Sequence, residues 1–156
     1  MDKFLQIADQ MVIYNLRTGW LQIARLYNEM AAEHDTTVSM AFVLLAINEE
    51  EGTPVTRIAP RMGMEPNSLS RILKSMEEKG FITRRKDEVD KRMAYVCLTE
   101  EGKEKREIAM RAVFRLEKAI VNKLDQQKLD AFYEVARHIP SAIEDFKEKM
   151  ASYDKS

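Results

Sequence analysis

Asn67, Ser68, Ser70, Arg71 and Lys74 share a short segment in which Leu69, Ile72, Leu73 and Met76 are apolar at helical spacing. With the apolar set turned inward, the five polar side chains face outward together. Arg71 can then donate two parallel hydrogen bonds to a guanine edge, and Asn67 can pair with adenine, as major-groove reading requires. Ser68, Ser70 and Lys74 suit phosphate or mixed contacts. A second cluster follows, with Arg84, Arg85, Lys86, Lys91 and Arg92 placed to approach a phosphate backbone and the adjacent minor groove, and with Asp90 among them. Taken alone, both clusters also describe ordinary solvated faces, and Asp90 an ordinary turn residue.

Charge supports the first reading without deciding it. The 156 residues sum to −1. Residues 1–52 hold three basic and eight acidic side chains, 53–106 hold 13 and nine, and 107–156 hold nine of each. The only net-positive third therefore contains both clusters, an asymmetry of the kind that marks an electrostatic footprint. Enzyme chemistry finds no comparable foothold. There is no glycine-rich phosphate loop, no nucleophile–base motif and no metal-ligand spacing. His34 and His138 are the only histidines, so no metal or other cofactor is expected. The single cysteine, Cys97, excludes an internal disulfide and reads as a small apolar strand residue. Carboxylates such as Glu100 and Glu104 fall beside Lys103 and Arg106 at salt-bridge spacing.

The elements that must position these residues follow from periodicity. Phe4, Ile7, Met11, Leu16, Trp20, Ile23, Tyr27 and Met30 predict one amphipathic helix from Phe4 to about Glu33, roughly 42 Å long. A second helix is expected over Met40–Glu50, capped by Thr37 or Ser39 and ending near Gly52. Thr53-Pro54 is expected to open a third helix that runs to Met62 with Gly63 as its C-terminal cap, although Pro60 should kink or loosen it. Pro66 opens a fourth helix, to Lys79, capped by Gly80. The third and fourth helices form a helix-turn-helix. Beyond Gly80 the period changes to two, so 81–85 and 93–98 read as strands joined by a charged connector. A helix-turn-helix followed by such a hairpin is a winged helix. Two long helices complete the chain, from Thr99 to about Leu124 and from Gln126 to Met150, the last expected to bend at Pro140.

Leu73, Met76, Glu77, Lys79-Gly80-Phe81-Ile82, Arg84-Arg85, Asp87, Asp90-Lys91-Arg92 and Leu98-Thr99-Glu100-Glu101-Gly102 resemble the MarR family of winged-helix transcriptional regulators. The resemblance implies a mainly α protein with a small β-hairpin wing. Residues 37–99 would form the winged helix-turn-helix DNA-binding domain, and 1–36 with 100–156 a helical dimerisation region. It further implies a homodimer on a pseudo-palindromic operator, repression as the default output, Arg92 in the minor groove and Asp90 positioning the wing. Pro66 departs from the family, standing where many relatives carry a polar side chain able to touch phosphate. Relatives often bind small aromatic or phenolic ligands beside the dimer helices. Trp20, Tyr27, Met40, Met110 and Phe114, with Arg25 to hold an anion, are the candidates here, and core packing is the competing role for each aromatic. A winged-helix dimer serving as a protein-interaction module without specific DNA binding is the rival reading. No apolar run is long enough to span a bilayer, and the N-terminus lacks the pattern of a secretory signal, so a cytoplasmic location is expected.

Overall fold

The computed structural model describes residues 3–87 and 93–153. The elements run α1 (Lys3–Ala8), α2 (Val12–Ala32), α3 (Val38–Ala46), β1 (Thr53–Pro54), α4 (Val55–Met62), α5 (Pro66–Glu78), β2 (Ile82–Lys86), β3 (Ala94–Leu98), α6 (Glu100–Val121) and α7 (Gln126–Tyr153). They fall into two compact units, residues 1–113 and 114–156. Among the described residues no helix is long and apolar enough to cross a membrane.

The expected first helix is two. Gln10 N–H bonds to Ile7 O at 3.0 Å and Met11 N–H to Ala8 O at 2.9 Å, which tightens and ends α1. Met11 is then extended, and the Asn15 amide donates to Asp9 O at 2.8 Å and Met11 O at 2.9 Å. Apolar spacing conceals this break because Ile7 and Met11 stand one helical turn apart. The second helix is also shorter than expected. Thr37 caps it by accepting from Met40 N–H at 3.2 Å, but it ends at Ala46, because Asn48 Oδ1 accepts from both Glu50 and Glu51 N–H groups. That local side-chain turn competes with helix continuation.

Thr53 and Pro54 form a strand instead of the start of a helix. Proline biases its predecessor toward extended backbone, and Thr53, 3% exposed, accepts from Asn48 N–H at 2.8 Å. The sheet is thus three-stranded, in the order β1-β3-β2 and antiparallel throughout. Pro60 lies within α4, which still continues to a left-handed Gly63.

The core of the first unit comprises Val43, Leu44 and Ile47, with Ile58 of α4, Leu69, Leu73 and Met76 of α5, and Phe81, Ile82 and Val96 of the sheet. Gly80, at φ 75°, is what lets α5 deliver Phe81 into it. Phe81 N–H bonds to Met76 O at 2.9 Å and Gly80 N–H to Glu77 O at 3.0 Å, a Schellman closure that needs left-handed backbone at Gly80. In the second unit α7 runs unbroken through Pro140.

Candidate nucleic-acid interface

α5 divides sharply into two faces. Leu69, Leu73 and Met76 are at most 2% exposed, whereas Asn67, Ser68, Ser70, Arg71 and Lys74 are all exposed. Burial of the three apolar side chains fixes the rotation of the helix about its axis, and that rotation aims the polar five at solvent. Ser70 Oγ donates back to Pro66 O at 3.0 Å, and Lys74 lies 3.9 Å from Glu78 in an exposed ion pair. Asn67, Ser68 and Arg71 make no side-chain hydrogen bond among the described residues, so their donors are free for a partner. On α4, Arg57 is exposed and likewise uncommitted. Composition-level reading did not single it out, although it lies in the basic third of the chain.

The hairpin cations are not equivalent. Register pairs Arg84 with Val96, Arg85 with Tyr95 and Lys86 with Ala94, so the pleat turns Arg84 and Lys86 to one face and Arg85 to the other. Arg84 Nε meets Glu77 Oε2 of α5 at 2.9 Å. Arg85 donates to Glu51 O at 3.3 Å and lies over the Tyr95 ring, 5.1 Å from its centroid. Lys86 is exposed, with no ion pair among the described residues. Asp90, Lys91 and Arg92 lie outside the described residues.

The far end of α5 is tied to its surroundings. Lys79 Nζ meets Asp35 Oδ2, in the turn after α2, at 2.7 Å. That hydrogen bond and the Lys79 charge hold the Asp35 carboxyl below the usual carboxylate range. Thr99 Oγ1 donates to Gly80 O at 2.6 Å and accepts from Gly102 N–H at 3.0 Å, so one hydroxyl caps α6 and fastens it to the exit of α5.

The aromatic candidates separate. Trp20 and Tyr27 are both brought to Phe42 of α3, with ring centroids 6.0 and 6.3 Å from it. Phe42, hidden in an apolar run, was not among the residues expected there. Met40 is buried in the core instead, Arg25 is exposed and Met110 partly buried. Phe114 belongs to the second unit and is 62% exposed. Cys97, in β3, is half-buried. Among the described residues there is no grouping of side chains able to hold a metal ion.

A helix-turn-helix with an outward polar second helix, closed by a three-stranded sheet whose hairpin is basic, defines a winged-helix protein. Residues 37–93 match the model of the MarR family. It is 30% identical over 98 residues to the HTH-type transcriptional regulator TtmR of Methylorubrum extorquens, a match covering 63% of this chain and 50% of TtmR. The chain spans about half the length of the curated relatives it matches. Two solved structures share the fold. MepR of Staphylococcus aureus, in a DNA complex, has a TM-score of 0.77 at 19% identity, covering 85% of this chain and 98% of that one. CouR of Rhodococcus jostii RHA1, bound to p-coumaroyl-CoA, has a TM-score of 0.76 at 20% identity, covering 85% and 93%.

Proposed function

We propose that this chain is a sequence-specific double-stranded DNA-binding transcriptional regulator, a cytoplasmic homodimer that represses by default from a pseudo-palindromic operator. One observation carries the reading: the exposed polar face of α5, with Asn67, Ser68 and Arg71 uncommitted, is oriented by a buried apolar face directly behind it. Asn67 and Arg71 read base edges in the major groove, and Ser68, Ser70 and Lys74 hold phosphates or mixed positions. Arg57 adds a backbone contact from the first helix of the motif, where such helices cross the phosphates. Lys86 begins the wing's contribution, and family resemblance extends it to Lys91 and Arg92, with Asp90 as their support. The domain division accompanies this reading: 37–99 binds DNA, while 1–36 and 100–156 dimerise.

Surplus apolar surface supports the dimer. In the first unit Phe4, Ile7 and Ile13 are exposed, Ile13 by 76%. In the second, Phe132, Ile143 and Phe146 are exposed, Phe146 by 63%. Surfaces of this kind mark interaction sites, and a two-fold pairing sets two recognition helices about 34 Å apart, one turn of DNA. CouR is described with an aromatic acyl thioester bound. A small aromatic or phenolic ligand resting on Trp20, Tyr27 and Phe42, with Arg25 for its anion, is the regulatory counterpart we propose here.

Selection of bound sequences from random duplex DNA, with light scattering on the same preparation, tests the proposal. A palindrome with half-sites one helical turn apart, bound by a dimer, is expected. A well-folded protein that enriches no sequence at low salt would refute specific DNA binding, and a monomer at micromolar concentration would refute the dimer.

A further inference from the structure

We infer that Arg84 is a positioning residue, setting the wing against the recognition helix through Glu77, and that it does not contact phosphate; this rests on the DNA-binding reading above. Arg84 stands opposite the fully buried Val96, so the pleat directs it toward the helical body and not away from it. There its Nε meets Glu77 Oε2 at 2.9 Å, with the two side chains 39% and 35% exposed. Glu77 follows the buried Met76 on the last turn of α5, a stretch of helix fixed against the core. The pair is therefore a partly desolvated clasp between α5 and β2.

Charge accounting leads to the same assignment. A guanidinium paired with a carboxylate offers a phosphate almost no net attraction. To serve DNA it would have to leave Glu77, exposing an unpaired anion beside the duplex. Lys86, two residues further along the same face, carries no such encumbrance. Arg85 complements the clasp from the opposite face, held by Glu51 O and the Tyr95 ring. Both arginines at the root of the hairpin thus fix its direction, and the contacts lie further out.

The test titrates the selected operator with wild type, Glu77→Gln, Arg84→Gln and the exchanged pair Glu77→Arg with Arg84→Glu, across a range of salt, with thermal melts of each. Expected is a loss of roughly fivefold in affinity for each single variant. The slope of log affinity against log salt should be unchanged, and the exchanged pair should recover most of the loss. A phosphate contact predicts otherwise: Arg84→Gln, which would remove one contact in each half of the proposed dimer, would lower the slope by about 1.8, and Glu77→Gln would strengthen binding. Either result overturns the assignment, as would unchanged affinity in both single variants, or lowered melting temperatures with operator affinity intact. Wild type failing to bind any duplex is a separate outcome, which removes the DNA-binding reading itself and the positioning role with it.

Discussion

Gly102→Ala sets two effects against each other. Alanine is the better helix former, by at most about 1 kcal/mol, and Gly102 is the third residue of α6, so propensity alone calls for a more stable protein. The surroundings oppose it. A Cβ at Gly102 would stand 1.8 Å from Phe81 O and 2.9 Å from the carbonyl carbon. An unstrained carbon–oxygen contact needs about 3.3 Å, so the two backbones must part by more than about 1 Å. Phe81 is held in the core at 2% exposure, which leaves the start of α6 to move. Two hydrogen bonds span that junction: Thr99 N–H to Phe81 O at 3.1 Å and Thr99 Oγ1 to Gly80 O at 2.6 Å. At about 0.5–1.5 kcal/mol each, their loss outweighs the propensity gain and leaves about 1–2 kcal/mol of net destabilisation. For a chain of this size that is a fall in Tm of about 2–8 °C. Thermal and urea unfolding at one fixed protein concentration measure it, since the proposed dimerisation would make the midpoint depend on concentration. A variant melting at or above wild type would refute the close approach and, with it, the account of why this position carries glycine.

Arg71→Ala should cost about 1–3 kcal/mol on the best operator and relax preference at one base pair per half-site; repeated sequence selection checks this, and a uniform loss over all sequences refutes base reading. Lys86→Ala should weaken every duplex alike and reduce the salt slope by about 1.8, one contact in each half of the proposed dimer, so an unchanged slope in a salt titration excludes a phosphate contact. Followed by NMR, the Asp35 carboxyl should titrate below the ordinary aspartate range and return toward it in Lys79→Gln, because Lys79 is the main cause of its depression. A depressed folded-state midpoint means that the pair's contribution is complete above the ordinary carboxylate range and drains away as pH falls through Asp35's own midpoint; an Asp35 titration indifferent to Lys79→Gln refutes the pairing.

What could be read in advance followed from repetition. Leu69, Ile72, Leu73 and Met76 recur at the period of a helix, so the face of α5 was visible in one dimension. The glycine stops at Gly63 and Gly80 and the change to period two after Phe81 were visible for the same reason. What escaped depends on single side chains acting over a few residues. Asn15 turning back to Asp9 O, and Asn48 accepting from Glu50 and Glu51, each interrupt a helix whose apolar spacing continues through the interruption. β1 escaped because Thr53-Pro54 is too short to show a period, and only pairing with Val96 and Tyr95 makes it a strand. The cations posed a different difficulty. Composition treats Arg84, Arg85 and Lys86 alike, and only register and the position of Glu77 distinguish them.

The ties around α5 are arranged unequally, and the inequality bears on recognition. Its last turn and its exit are fastened by Glu77 to Arg84, by Lys79 to Asp35 and by Gly80 to Thr99. Its first two turns present Asn67, Ser68 and Arg71 with no side-chain bond to the rest of the described chain. A helix held by its far end and its buried face would reach a duplex already oriented, so little rotational freedom would be lost on binding, while the donors proposed to meet base edges remain unspent. The same anchors run to the turn after α2 and to the start of α6, the two elements that lead away from the winged-helix core. A displacement of either would therefore tilt α5 about its C-terminal end, and the largest excursions would fall on Asn67 and Ser68, the residues proposed to meet the DNA.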